Sequence, residues 1–82
     1  MIKDIQEIAR KDLPEVEKLA EAFNLLTSRY IEHSQNEIEL MRALGDEEGL
    51  IKERIKAGVM ENARSIFLDC YRVITGRSAW HE

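Results

Sequence analysis

The sequence lacks the residues on which several classes of small protein depend. It has one cysteine, Cys70, and two histidines, His33 and His81, in 82 residues. One cysteine cannot form an internal disulfide, and these three side chains are too few for a structural zinc site. The sequence therefore argues against a disulfide scaffold and a zinc finger, and the cytoplasm is the expected compartment.

Long apolar segments are also missing. No run approaches the roughly 18 apolar residues that a membrane-spanning helix needs, and no basic start precedes an apolar stretch. The sequence contains no glycine-rich nucleotide loop, no recognisable catalytic motif and no internal repeat. We therefore expect a soluble, uncleaved, non-enzymatic protein without a membrane segment, a cofactor or a metal.

The residues that are present predict one globular domain over 1–82. Apolar residues make up 44% of the chain, which is too many for a disordered segment. The net charge is −4, and the acidic residues are concentrated in the first half. The acidic residues expected to face solvent are Glu15, Glu17, Glu21, Glu32 and Glu39. We interpret them as a solvated helix face; the alternative is a surface that attracts a basic partner or mimics a nucleic acid.

Proline and glycine divide the chain into three helices, near residues 2–11, 13–44 and 47–75. Pro14 follows a capping aspartate, and Gly45 and Gly76 suit helix C-termini. The apolar stripe predicted for the third helix contains Ile51, Ile55, Val59, Ala63, Ile66, Cys70, Val73 and Ile74. With a turn near residues 46–47, the two long helices are antiparallel, and facing residues have numbers that sum to about 93.

This register predicts an all-α fold, an antiparallel hairpin of two long helices plus a short N-terminal helix. Glu37 is expected within reach of Lys56. The residues expected to be buried are Phe23, Leu26, Ile38, Ile55, Ala63, Ile66 and Cys70, with Cys70 as an unreactive packing residue. Because the short first helix covers at most a third of the groove, we expect a homodimer, or a higher oligomer, that completes a helical bundle.

A second stripe on the third helix is rich in the residue types found at interfaces. With the tail residue Trp80, it comprises Met60, Arg64, Phe67 and Tyr71. We interpret the five as a protein interface, for a second subunit or a partner. The alternative is that the N-terminal helix folds over them and forms an internal three-helix core.

Two further sets of residues have both a functional and a structural interpretation. An arginine row on the third helix could contact nucleic acid through Arg54, Arg64, Arg72 and Arg77, although acidic residues interrupt it and the whole chain is acidic. A polar cluster on the second helix contains Tyr30, His33, Ser34 and Glu37. We interpret this cluster as a polar layer that sets helix register, because it lacks a nucleophile–base pair and a metal-ligand set.

These observations favour a small acidic helical interaction module that acts as a regulator or inhibitor by binding another protein. The alternative is a dimeric nucleic-acid-binding regulator that uses the arginine row. Salt-sensitive retention on heparin or nucleic acid would separate the two hypotheses.

Overall fold

A computed structural model describes residues 1–80 and contains three α-helices, with no strand in that part of the chain. The helices are α1 (Ile2–Ala9), α2 (Glu15–Leu44) and α3 (Glu47–Thr75). They confirm the predicted all-α class. None of the three combines the length and the apolarity that crossing a membrane requires. His81 and Glu82, which were expected to form a tail, lie outside the described residues.

The connection between α2 and α3 reverses the chain in two residues. Gly45 ends α2 with φ of 71°, a left-handed conformation that glycine adopts without a steric penalty. The Asp46 N–H donates to the Met41 carbonyl at 2.9 Å, and the Asp46 carboxylate accepts from the Gly49 N–H at 3.0 Å. Asp46 therefore closes one helix through its backbone and caps the next through its side chain.

The two long helices meet through small residues on α2 that face two large residues and one small residue on α3. The buried residues on α2 are seven apart, and they are Ala20, Thr27 and Ser34. Their counterparts on α3 are also seven apart, and they are Tyr71, Arg64 and Ala57. Each pair has numbers that sum to 91, within two of the predicted register. The hairpin is therefore aligned along its length nearly as the sequence predicts.

The rotation of α3 about its own axis differs from the prediction. Ile55 and Ile66 are 61% and 55% exposed, and Cys70 is also exposed, although all three were predicted to be buried. The other predicted core residues are half-buried, and they are Phe23, Leu26, Ile38 and Ala63. The predicted inner face of α3 is therefore wrong, because the helix carries two apolar stripes and the stripe with the large rings packs against α2.

An aromatic stack explains which stripe faces inward. The Phe23 and Phe67 rings are stacked with centroids 4.6 Å apart, and the Trp80 ring lies parallel to Phe67 at 5.4 Å. Trp80 reaches this position because Gly76 ends α3 at φ of 71° and the tail turns back, which buries Ala79. Stacked rings contribute about 0.5–1.5 kcal/mol per pair beyond their buried area. Packing the aromatic stripe against α2 therefore stabilises the hairpin more than packing the aliphatic stripe would.

The N-terminal helix packs against α2 and does not reach α3. Ile8 is its one buried residue. The Arg29 guanidinium donates to the Asp4 carboxylate at 2.6 Å, and this hydrogen bond holds the pKa of Asp4 below its ordinary value. The Lys18 ammonium donates to the Ala9 carbonyl at 2.7 Å. The alternative in which α1 covers the second stripe of α3 is therefore wrong.

Candidate functional site

The five residues predicted to form a protein interface lie between the helices of the chain itself. Tyr71 is 4% exposed and belongs to the core. The other four are half-buried, and they are Met60, Arg64, Phe67 and Trp80. They were expected on an exposed shoulder of α3, and the structure corrects that placement. Their interface-like composition reflects the contact between α2, α3 and the tail.

Arg64 occupies the centre of this contact. Its guanidinium donates to Thr27 Oγ1 at 2.6 Å, to Asn24 Oδ1 at 2.8 Å and to Ser28 Oγ at 3.0 Å. The same group lies 4.4 Å from the centroid of the Trp80 ring, a distance suited to a cation–π interaction. Arg64 therefore joins α2, α3 and the tail, and its donors are used within the chain.

The arginine row proposed for nucleic acid is not a continuous surface. Arg77 donates to the Glu17 carboxylate at 2.6 Å, and Arg72 lies 3.4 Å from Asp69. Arg54 and Arg72 are exposed on α3, whereas Arg64 packs inside the hairpin. Binding to a polyanion depends on several cations that face it together, and this arrangement does not favour the nucleic-acid alternative.

Glu17 connects the start of α2 with the end of α3. The Tyr71 hydroxyl and the Arg77 guanidinium both donate to Glu17 Oε1. These hydrogen bonds, from Tyr71 first and Arg77 second, hold the pKa of Glu17 below its ordinary value. An open cleft of about 780 Å³ lies beside them, between the start of α2 and the tail. Since Glu17 is paired with Arg77 and Glu21 with Lys11, the predicted acidic face is partly neutralised within the chain.

The polar cluster on α2 is divided between the inside and the outside of the hairpin. Ser34 is 2% exposed, whereas His33 is exposed to solvent. His33 Nε2 is 3.9 Å from Glu37 Oε1. Within residues 1–80, no group of three histidine, cysteine or acidic side chains is placed to hold a metal ion. Ser34 is therefore the buried member of this cluster, and the interpretation of the cluster as a layer that sets helix register stays a prediction.

Lys56 was predicted to lie within reach of Glu37 on the neighbouring helix. Its strongest partner is Glu53, at 3.1 Å, and this hydrogen bond raises the pKa of Lys56. The charges of Glu53, Tyr30 and Glu37 raise that pKa further. Among residues 1–80, no ion pair joins Glu37 to Lys56, so the predicted pairing is not observed: Lys56 pairs with Glu53, and Glu37 lies 3.9 Å from His33.

The largest unexplained feature is an apolar surface on the side of α3 turned away from the hairpin core. We call it the outer face of α3, and it consists of Ile51, Ile55, Val59, Ile66, Val73 and Ile74. Their side chains are between 55% and 85% exposed. On α2, Leu19 and Tyr30 are 67% and 42% exposed. Scattered exposed hydrophobic residues are ordinary, whereas six along one side of one helix are the kind of patch that interaction surfaces have.

The accessible surface of the chain is larger than that of a compact monomer of the same mass. A compact monomer of 9.5 kDa has an accessible surface of about 5,000 Å². This chain exposes 6217 Å², which is about 1,200 Å² more than that expectation. No side chain among the described residues is below 2% exposed. The hairpin therefore exposes more surface than a compact monomer of its mass, by an amount comparable with one side of a protein interface.

Comparisons with protein-family models, with curated proteins and with solved structures find no match to this chain. The function is therefore inferred from its own residues. The sequence contained one signal for this surface, the first apolar stripe of α3, which was predicted to be core; the second stripe, predicted to be an interface, is the one that packs inside the hairpin. The contact between Arg64 and the tail had a weaker signal, a lone Trp80 just beyond the terminating glycine.

Proposed function

We propose that this chain is a non-enzymatic protein–protein interaction module that binds through the outer face of α3, and that it acts as a regulator or inhibitor of the protein it engages. The observation that carries the proposal is the row of six large aliphatic side chains, each more than half exposed, on one side of one helix. Such a row lowers the free energy of the system when another protein surface covers it.

The polar residues around the outer face of α3 support its role as a binding surface. Exposed polar side chains lie beside and between these aliphatic residues, and they are Lys52, Lys56, Asn62 and Asp69. An apolar centre with a polar rim is the common anatomy of a protein interface. The rest of α3 is held firmly, because its inner side packs on α2 through the aromatic stack and Arg64.

The charge of the chain bears on the class of partner. The net charge is −4. Exposed acidic residues on α2 include Glu15, Glu32 and Glu39. A surface of this sign favours association with neutral or basic proteins and disfavours nucleic acid. We therefore retain the protein-binding hypothesis and propose no nucleic-acid function.

The test compares two substitutions that differ only in the side of α3 they change. Ile66→Glu places a carboxylate in the middle of the outer face, whereas Ser65→Glu places the same group one residue earlier, on an exposed polar side. We expect the parent and Ser65→Glu to retain the same associations and Ile66→Glu to lose them. The measurements are co-purification with tagged protein and mass in solution by light scattering.

Helicity by circular dichroism controls for unfolding. Because Ile66 is 55% exposed in the single chain, Ile66→Glu is expected to leave the helical content unchanged. The proposal is wrong if Ile66→Glu keeps every association of the parent, or if the parent associates with nothing, itself included.

A further inference from the structure

One row of residues on α3 has the spacing of a contact between two helices. It overlaps the outer face, and it consists of Val59, Ala63, Ile66, Cys70 and Val73. Successive members are four, three, four and three residues apart, the spacing at which side chains of one helix enter the gaps of another. Val59 and Val73 are 64% and 85% exposed, and Cys70 is exposed as well. We call this row the seam.

We infer that the seam packs against the seam of a second copy of this chain, with the two copies of α3 antiparallel. This inference rests on the proposed function, because it names the partner that covers the same face. A symmetric pair needs one self-complementary surface and no second kind of site. The seam meets that condition, since large and small side chains alternate along it.

The alternation of large and small side chains along the seam favours an antiparallel pair of α3 helices. In an antiparallel pair of helices, the two kinds of seam position face each other, so Val59 lies opposite Cys70 of the second copy and Ala63 lies opposite Ile66. Val59 and Ile66 then each meet a small side chain, and these layers interdigitate. In a parallel pair, Ala63 and Cys70 would each face their own copies and leave gaps, while Val59 and Ile66 would crowd theirs.

Charge at the end of the hairpin favours the same direction. The turn and the start of α3 carry three consecutive acidic residues, Asp46, Glu47 and Glu48. A parallel pair would bring both acidic turns together, and like charges at close range oppose association. An antiparallel pair places the two turns at opposite ends of the assembly.

The available area is sufficient. A stable interface buries about 800 Å² on each partner. The chain exposes 6217 Å², and its surface exceeds that of a compact monomer of the same mass by about 1,200 Å². The flank of α2 that carries Leu19 and Tyr30 is also exposed and apolar, which widens the surface that a second hairpin would cover.

Disulfide formation tests the direction with the one native cysteine. In the antiparallel pair, the two copies of Cys70 are offset by eleven residues, about 16 Å along the helix axis, which is too far for a disulfide. Val59→Cys is expected to form a covalent dimer with Cys70 of the second copy under mild oxidation. Val59→Cys combined with Cys70→Ser, and Ser65→Cys in the parent, are matched controls that should stay uncrosslinked. Covalent dimerisation of the parent through Cys70 alone would indicate a parallel pair and overturn the inference.

Mass in solution tests the second copy itself. We expect sedimentation and light scattering to report twice 9.5 kDa for the parent and for Ser65→Glu. Ile66→Glu is expected to weaken the dimer at least ~100-fold, because the pair would bury two unpaired carboxylates, and native Cys70 should then react faster with a thiol reagent.

The outcomes separate this inference from the proposed function. A parent that stays monomeric while Ile66→Glu abolishes binding to a different protein overturns the inference and leaves the proposed function standing. A monomeric parent whose associations are unchanged by Ile66→Glu overturns both. A dimeric parent that becomes covalently linked only when Val59→Cys is introduced beside native Cys70 supports the inference and, of the proposed function, the use of the outer face as a binding surface.

Discussion

Removal of the Trp80 ring tests whether the tail is part of the fold. Trp80→Ala deletes two ring contacts, with Phe67 at 5.4 Å and Phe23 at 6.0 Å, and the cation–π contact of Arg64 at 4.4 Å. It also deletes the hydrogen bond from the indole N–H to the Ala20 carbonyl at 2.8 Å. The Trp80 backbone has φ of 62°. A residue other than glycine adopts this left-handed conformation only when its contacts stabilise it.

The expected loss is about 3 kcal/mol of unfolding free energy. Each aromatic pair contributes about 0.5–1.5 kcal/mol beyond its buried area, and an exposed cation–π contact contributes about 0.5–1 kcal/mol. The hydrogen bond adds about 1 kcal/mol. Because Trp80 is half-buried and the contacts share one ring, the total should lie at the low end of the range of about 3–5 kcal/mol for a fully buried tryptophan.

The assay is thermal and urea unfolding followed by far-ultraviolet circular dichroism, at one fixed protein concentration because association would raise the apparent stability. For a chain of this length, a loss of about 3 kcal/mol lowers the melting temperature by about 12–24 °C. Trp80→Phe keeps a stacked ring and should lose only about 1 kcal/mol, and exposed Ser65→Ala should change stability by less than about 0.5 kcal/mol.

A double-mutant cycle identifies the contact with Arg64. Arg64→Ala and Trp80→Ala should show a coupling of about 1 kcal/mol, because the two side chains interact directly. The reasoning fails if Trp80→Ala changes stability by no more than Ser65→Ala does. That result would mean that the tail does not dock between α2 and α3.

Three other predictions follow from single positions or from charge. Gly58→Ala should stabilise the chain by about 0.5–1 kcal/mol, because Gly58 lies inside a helix and a Cβ there meets no atom within 4 Å. Gly45→Ala should destabilise the chain by about 1 kcal/mol, because Gly45 has φ of 71°. Urea unfolding measures both changes. Hydrogen bonds from Tyr71 and Arg77 lower the pKa of Glu17 in the folded state, so their stabilisation is present above about pH 4.5 and is lost as the pH falls through the lowered pKa. Glu17→Gln should therefore flatten the acid side of the stability profile measured by urea unfolding at several pH values, and an unchanged profile would count against the pairing. The parent should pass through heparin at low salt, and strong retention that is lost as the salt concentration rises would revive the nucleic-acid hypothesis.

The sequence by itself determined the helices, the reversal and the alignment of the hairpin. These features depend on local chemistry that is visible in single residues. Gly45 and Gly76 end helices through their left-handed conformations, and Asp46 caps the next helix. Once the turn is located, antiparallel geometry sets which residues lie at the same height, and the predicted sum of 93 is within two of the observed 91.

The tertiary structure alone decided which side of α3 faces inward. Both stripes of the helix are apolar and both repeat at helical spacing, so periodicity cannot rank them. The choice depends on small residues on α2, such as Ala20 and Thr27, that leave space for large side chains, and on a ring from the distant tail that completes the stack. These are contacts between residues far apart in the chain, and their sum made the aromatic stripe the core and left the aliphatic stripe exposed.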